Sequence, residues 1–401
     1  MSAFAFRMRA YAAAHMDYDN HLRVTWPGAT AILQSEYTGG EAGRAYPVTL
    51  HGEIRGSAES LDDAQHRLAA MLGNSLSVLA LASNAAIADP LALAAYGLDL
   101  STPQPFIWYQ TPAAADWFPP GERRFEPEPM ERFMAAVGSH PQYALLHRAI
   151  EAYRRALSHW TPEGRLLAGE FLYIAAETLS RCILETEAAD AQVTPKRLAK
   201  LRRAQTSEVY RLRVLHERVF GGDDAAREAM EEASNGFEHG YMAADDVRTR
   251  IVGVLDRAMG LVRRALIAAA SPDAETERIL LADAFAEPRG LVSTIQVVLG
   301  ELSVTDPQQV PPAAGEVRVE LEWPRGPIKA ERTPAGGLVV TVPSNVKVLS
   351  LPPNTTLSLS GAGLRAANVG AYSVEAGNAE EAELGPLTDH KGLRGEGSHG
   401  T

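Results

Sequence analysis

Near the amino terminus, apolar and polar residues alternate in short runs that predict β-strands. The runs cover residues 22–26, 31–37 and 46–55. Within the last run, every second residue is apolar or small and falls on one face of a strand. That face carries Val48, Leu50, Gly52 and Ile54.

Residues 68–88 carry no charge, which predicts a helix buried in a protein core. Ser57 or Ser60 can cap its start, and Asp89-Pro90 is expected to end it. The run also contains glycine, asparagine and serine residues, which lipid tails would disfavour. Residues 1–100 are therefore expected to form an N-terminal α/β domain with no membrane-spanning segment.

Residues 101–130 combine seven prolines with six aromatic residues. So many prolines argue against a continuous helix or strand. The aromatic side chains favour a connector packed on a domain surface over a free tether, and a ligand-binding aromatic surface is the alternative.

From residue 131 to 272 the apolar residues recur at spacings of three and four, which is typical of amphipathic helices. One helix is expected around Tyr143–Leu157. The next carries two apolar stripes, one from Leu167 and one from Leu172, and is expected to be central. Thr194-Pro195 should open a third helix, and a long final helix should run to about Ala270.

After residue 287 the apolar period changes to two, which predicts a β-rich region over residues 287–375. Residues 376–401 are rich in glycine and charge and are expected to be disordered. The predicted fold class is thus α+β and multidomain, with a central helical bundle flanked by an α/β domain and a β-rich region.

The net charge, the cysteine content and the N-terminal residues argue against several classes of protein. The chain has 401 residues and a formal net charge of -12, which argues against non-specific nucleic-acid binding by the whole surface. Its single cysteine, Cys182, excludes an intramolecular disulfide and fits a reducing, cytoplasmic compartment. Arg7 and Arg9 interrupt the only early apolar stretch, so no secretory signal is expected.

Two sequence segments of the bundle resemble those of a HEPN domain, a helical bundle that often acts on RNA. Residues 170–184 resemble its apolar helix with an internal Glu-x-Leu, and His239-Gly240 resemble the end of its Arg-x4–6-His motif. The positions of the motif arginine hold Glu232, Ala233 and Ser234. The resemblance implies a homodimer, and His239 and Asn235 are the candidate catalytic residues.

Because the motif arginine is missing, the site lacks the positive charge that would stabilise the transition state at phosphorus. We therefore expect a non-catalytic binding or regulatory protein that contacts RNA or a protein partner. The alternative is a metal-independent endoribonuclease of defence or toxin type, in which His239 works with an arginine from elsewhere in the fold or from a second subunit. Arg202, Arg203 and Arg227 are the arginines considered for that role.

A basic segment offers a candidate surface for RNA or a partner. Residues 196–218 contain eight lysines or arginines against two glutamates, and residues 223–246 reverse the sign. The two segments either pair with each other or leave the basic one free to bind phosphate. The candidate binding residues are Lys196, Arg197, Lys200, Arg202 and Arg203.

Three other patterns point to structural roles or to weaker sites. Arg211 and His216 match Arg-x4-His, but residues five apart on a helix point about 140° away from each other. Glu177 and Arg181 have the spacing of an i,i+4 ion pair. The remaining pattern alternates ligand types suited to zinc or manganese along a possible strand and comprises His15, Asp17, Asp19 and His21.

The spacing of that last pattern is not a known metal signature, and a solvated turn explains it equally well. The chain has no phosphate-binding loop, nucleophile elbow or Cys-x-x-Cys site. We therefore expect no cofactor and no metal site.

Overall fold

The computed structural model describes residues 2–17, 19–39, 45–89, 91–98, 123–161, 164–238, 243–291, 293–304, 318–322, 329–332, 338–341, 345–350, 355–367 and 383–384. The described residues mix helices and strands in an α+β fold. They divide into two compact units, the first within residues 1–39 and 45–292 and the second within 40–44 and 293–401.

A five-stranded antiparallel sheet begins the first unit. Its strands are β1 Ser2–Ala10, β2 Leu22–Trp26, β3 Ala29–Gly39, β4 Ala45–Ala58 and β5 Leu91–Leu98. The strand order is β2-β3-β4-β1-β5. The three predicted strands are confirmed as β2, β3 and β4, whereas β1 and β5 had not been predicted.

Helix α1, Leu61–Ser83, packs on the apolar face of this sheet. Its approach is close, because a Cβ atom at Gly52 would lie 3.2 Å from the Leu72 side chain. Ser60 caps the helix by accepting from the Asp63 amide, at 3.1 Å. The predicted helix end was wrong: α1 ends at Ser83, where Asn84 adopts a left-handed conformation, rather than at Asp89-Pro90.

Further helices complete the first unit. They are α2 Pro127–Gly138, α3 Tyr143–Ser158, α4 Arg165–Asp190, α5 Pro195–Leu201, α6 Ser207–Val214, a π-helix Leu215–Val219, α7 Asp224–Glu238, α8 Ala244–Val252, α9 Leu255–Ala270, α10 Ala274–Leu280 and a 3-10 turn Asp283–Phe285. Helix α4 contacts α3, α6, α7, α8 and α9, which confirms its predicted central position. None of the helices in the described part of the chain combines the length and the apolar character that a membrane span requires.

Two predicted helices are interrupted. The third helix was expected to run through the basic segment, but it breaks after α5, where Arg203 has a left-handed φ of 57°. The long final helix is divided into α8 and α9 by a turn at Gly253 and Val254. Glycine lowers helix stability, and this weak point coincides with the division.

The sheet and the bundle had been expected as separate domains, but they share one apolar core that extends from Phe4 to Phe285. Helix α1 joins them, because it contacts β1, β4, α2 and α3. The predicted connector lies mostly outside the described residues. Its last prolines, Pro127 and Pro129, belong to the first turn of α2, where a missing amide hydrogen costs nothing.

Two buried arginines secure the end of α1. Arg263 of α9 donates to the carbonyls of Leu81, Ala82 and Leu280, at 3.1, 2.8 and 2.7 Å. Arg123 donates to the carbonyls of Ser83 and Asn84, at 2.9 and 3.3 Å. Burial lowers the pKa of each guanidinium to about 10. The free carbonyls at a helix C-terminus favour positive charge, which offsets part of this cost.

The described residues of the second unit form β-strands. They are β6 Ser293–Val304, β7 Arg318–Glu322, β8 Lys329–Arg332, β9 Leu338–Thr341, β10 Asn345–Ser350, β11 Thr355–Ala367 and β12 Glu383–Leu384. β6 pairs with β11, β7 with β10, β8 with β9, and β11 also with β12, all antiparallel. The predicted disordered tail lies outside the described residues, except for β12.

Candidate functional site

The candidate site is the surface of α5 and α6, two short helices with strong local start signals. The Thr194 hydroxyl accepts from the Arg197 amide at 3.3 Å, and Pro195 occupies the first turn of α5. Thr206 caps α6 by accepting from the Val209 amide at 3.1 Å. These caps set two separate helices where the sequence had predicted one.

One side of this helix pair belongs to the protein core. Leu198 and Ala199 of α5 and Tyr210 and Val214 of α6 are buried, and both helices contact α4. The Tyr210 hydroxyl donates to Glu187 of α4 at 2.7 Å. Burial and this carboxylate raise the pKa of Tyr210. The buried residues determine which side chains face the solvent.

The exposed surface of α5 and of the turn that follows it carries the five basic residues that the sequence had singled out, all of them exposed. We call this surface the basic face; it comprises Lys196, Arg197, Lys200, Arg202 and Arg203. Among the described residues, no carboxylate lies within ion-pair distance of any of the five. The Arg202 carbonyl accepts from Arg213 at 3.0 Å, which places a further cation beside them.

Nearby carboxylates are occupied by other partners. Glu187 pairs with Arg218 in addition to its bond with Tyr210. Glu208 pairs with Arg211 at 2.6 Å, and this hydrogen bond lowers the pKa of the Glu208 carboxyl. The basic face therefore keeps its positive charge.

The interpretation that the acidic segment neutralises the basic one is wrong for the described side chains. The one contact found there between a basic side chain of one segment and a carboxylate of the other places His216 Nε2 3.1 Å from Asp224. Two other acids of the acidic segment have different partners: Asp223 pairs with Arg257 and Glu232 with Arg250.

Apolar side chains are exposed on the same two helices. Leu201 at the end of α5 is 64% exposed, and Val209 and Leu212 on α6 are 41% and 42% exposed. At spacings of three and four, Val209 and Leu212 fall on one helical stripe with His216 and Val219. Only Val219 of that stripe is fully buried.

The HEPN-like segment is described only in part. His239 lies outside the described residues. Asn235 is exposed on α7, whereas Ser234, one of the three positions expected for the motif arginine, is buried. Of the arginines considered as substitutes, Arg227 pairs with Glu231 at 2.5 Å and also with Glu228. Arg202 and Arg203 belong to the basic face.

Sequence reasoning missed one arginine near this segment. Arg250 of α8 pairs with Glu232 of α7 and so lies beside a position expected for the motif arginine. It follows His239 in the sequence, so a search for an arginine preceding the histidine passes over it.

Arg211 and His216 do not share a site. The Arg211 guanidinium contacts Ser180 Oγ at 3.1 Å and Glu177 at 3.4 Å, whereas His216 faces Asp224. The expected pairing of Glu177 with Arg181 is also wrong, because Glu177 pairs with Arg211 instead. Helix α6 supplies this partner from across the helix interface, which i,i+4 spacing cannot anticipate.

The alternating His/Asp pattern does not form a metal site in the described residues. The backbone turns after Asp17, whose carbonyl accepts from the Asn20 amide at 2.9 Å, so the segment is not one extended strand. Asp17 lies 3.4 Å from Arg124. In the part of the chain that the structure describes, which includes His15 and His21, no group of three or more potential ligands is suitably placed.

A second polar cluster lies along the seam between α1 and α3. Glu151 accepts from Ser77, from Arg154 at 2.9 Å and from Arg155 at 3.2 Å. These partners outweigh the opposing effect of burial and lower the Glu151 pKa to about 2. His147 Nε2 lies 3.4 Å from the Asn74 carbonyl. The acid at the centre of this seam is fully engaged by its neighbours, which fits a structural role.

Comparison with protein-family models, with curated proteins and with solved structures finds no match to this chain.

Proposed function

We propose that this chain is a binding protein built on a non-catalytic HEPN-like bundle, and that its basic face contacts an anionic macromolecule, either RNA or an acidic protein. The observation that carries the proposal is the set of five exposed basic side chains without a carboxylate partner in the described residues. They occur in a chain whose formal net charge is -12.

The clustering of these cations has an electrostatic cost for the folded chain. Like charges this close repel one another, and their exposed side chains add little to packing. Many arginines elsewhere in the first unit form ion pairs, for example Arg7 with Glu53 and Arg165 with Asp256. A concentrated positive field would attract an anionic partner and speed its association.

We also infer that the helical bundle is non-catalytic. No basic residue precedes His239 at the spacing of the motif, and Glu238 adjoins it in the sequence. A carboxylate beside a histidine would repel a phosphate. Arg227 would first have to leave Glu228 and Glu231 before it could serve a reaction.

A charge reversal tests the basic face. We expect Arg202→Glu with Arg203→Glu to lower retention on immobilised heparin, because four units of charge change on this surface. Arg148→Glu with Arg264→Glu is the matched control, since both of these arginines are exposed on other helices. Equal retention of the wild type and the 202/203 variant would contradict the proposal.

The family resemblance also supports a homodimer formed through the bundle. Sedimentation equilibrium at micromolar concentration should give twice the mass of one chain. A monomer mass would remove dimerisation from the proposal and leave the basic face to be judged separately.

A further inference from the structure

The pair of helices that carries the basic face also exposes apolar side chains. Leu201 lies between Lys200 and Arg202 in the sequence, and Val209 and Leu212 are three residues apart on α6. Residues three apart on a helix are neighbours on its surface. These three side chains are half of the exposed large hydrophobic residues in the described part of the chain, namely Ile32, Tyr143, Leu167, Leu201, Val209 and Leu212.

The combination of exposed cations and exposed aliphatic side chains limits which class of partner can bind. Proteins that recognise single-stranded RNA commonly stack its bases on aromatic side chains. The aromatic residue of α6, Tyr210, is buried and its hydroxyl is bound to Glu187. Exposed leucine and valine side chains gain little against phosphates and ribose, so they favour a partner with an apolar surface of its own.

The positive charge of the basic face further restricts which partner with an apolar surface can bind. A second copy of this chain bound through the same face would bring two sets of cations together, and this repulsion opposes a symmetric contact. A partner with carboxylates around an apolar stripe would pair with the cations and cover the aliphatic side chains. An amphipathic helix presents such a stripe at spacings of three and four.

We infer that the surface of α5 and α6 is a docking site for an acidic amphipathic helix of another protein. Val209, Leu212 and Leu201 contact the apolar stripe of that helix, and the cations of the basic face pair with its carboxylates. This inference rests on the proposed function, since it identifies the class of macromolecule that the basic face binds.

The experiment uses the whole chain and three fluorescent probes. The first is a 20-residue peptide with leucine at i, i+3, i+4 and i+7 positions and glutamate at the others. The second has the same composition, with its leucines spread evenly around the helix. The third is a 20-nucleotide polyuridine RNA. Anisotropy titrations at 150 mM salt should give at least tenfold tighter binding to the first peptide than to either other probe.

Matched variants separate the apolar contribution from the charge. Val209→Gln with Leu212→Gln should weaken binding of the first peptide by at least tenfold and leave heparin retention unchanged. The control is Ile32→Thr with Leu167→Gln, because these two residues are exposed to a similar extent, 37% and 38%, on other elements. Circular dichroism should show that both variants fold, since none of the four side chains is buried in the core.

The outcomes distinguish the two proposals. Tightest binding to polyuridine, unaffected by the 209/212 substitutions, would overturn the inference while keeping the basic face as an RNA-binding surface. Equal binding of the two peptides would also overturn it, because charge alone would then explain the affinity. Heparin retention that does not respond to the 202/203 reversal would instead refute the proposed function.

Discussion

Replacing Arg263 should destabilise the first unit strongly, because this residue connects three backbone segments from inside the core. It is 3% exposed and donates to the carbonyls of Leu81, Ala82 and Leu280. In Arg263→Met, the Leu81 carbonyl keeps its bond from the Asn84 amide at 3.2 Å. The Ala82 and Leu280 carbonyls lose the donor that Arg263 supplies.

The expected magnitude follows from those two carbonyls. A buried polar group left without a partner costs about 1–3 kcal/mol, so two of them cost about 2–6 kcal/mol. Methionine no longer buries a charge, which returns part of this cost. We expect a net loss of about 3 kcal/mol, a large part of the roughly 5–15 kcal/mol by which proteins are stable.

Urea denaturation followed by circular dichroism measures this loss. Arg264→Met is the matched control, because its arginine is the next residue of α9 and is exposed. We expect that control to change stability by less than about 0.5 kcal/mol. If Arg263→Met were as stable as Arg264→Met, the bonds to the end of α1 would not contribute as described.

Three further predictions concern the shared core, the Glu151 carboxyl and RNA cleavage. A fragment of residues 128–272 should show no cooperative urea transition in circular dichroism, because it lacks α1 and with it the partners of Arg263 and Tyr153; a cooperative transition would refute the shared core. Glu151, whose pKa is lowered to about 2 from 4.5, should stabilise the fold above pH 4.5 by about 1–3 kcal/mol, and this contribution should disappear as the pH falls towards 2. The difference in unfolding free energy between the wild type and Glu151→Gln measures it, and a difference that does not vary with pH would contradict the assignment. The wild type should leave single-stranded RNA intact in the presence of EDTA in a gel assay, and cleavage that His239→Ala abolishes would restore the ribonuclease alternative.

Patterns of apolar residues along the sequence predicted several elements of the fold. Strand β2 was predicted at its observed bounds, and α4 was predicted to be central because apolar residues cover more than one of its sides. Strand β1 also buries Phe4, Phe6 and Met8 in alternation, a pattern that could have been recognised. Strand β5 is rich in alanine, a weak strand former, so its pairing with β1 was not predictable locally.

The sequence predicted which cations form the basic face, but it did not predict whether they form ion pairs with carboxylates. The sequence identified the cations, yet whether carboxylates would neutralise them depends on how the chain turns between α5 and α6. Arg203 adopts a left-handed conformation at that turn, which few residues other than glycine do, and propensity gives no warning of it. The role of Arg263 was equally hidden, because its partners in α1 are distant in sequence.

The central claim is that the basic face binds an anionic partner, and one comparison of affinities tests it most directly. The dissociation constant of the acidic amphipathic peptide should rise at least tenfold in Arg202→Glu with Arg203→Glu. It should stay within twofold of the wild type in Arg148→Glu with Arg264→Glu. Equal affinities in the two variants would mean that binding does not depend on where the charges are reversed, and the account of this face would be wrong.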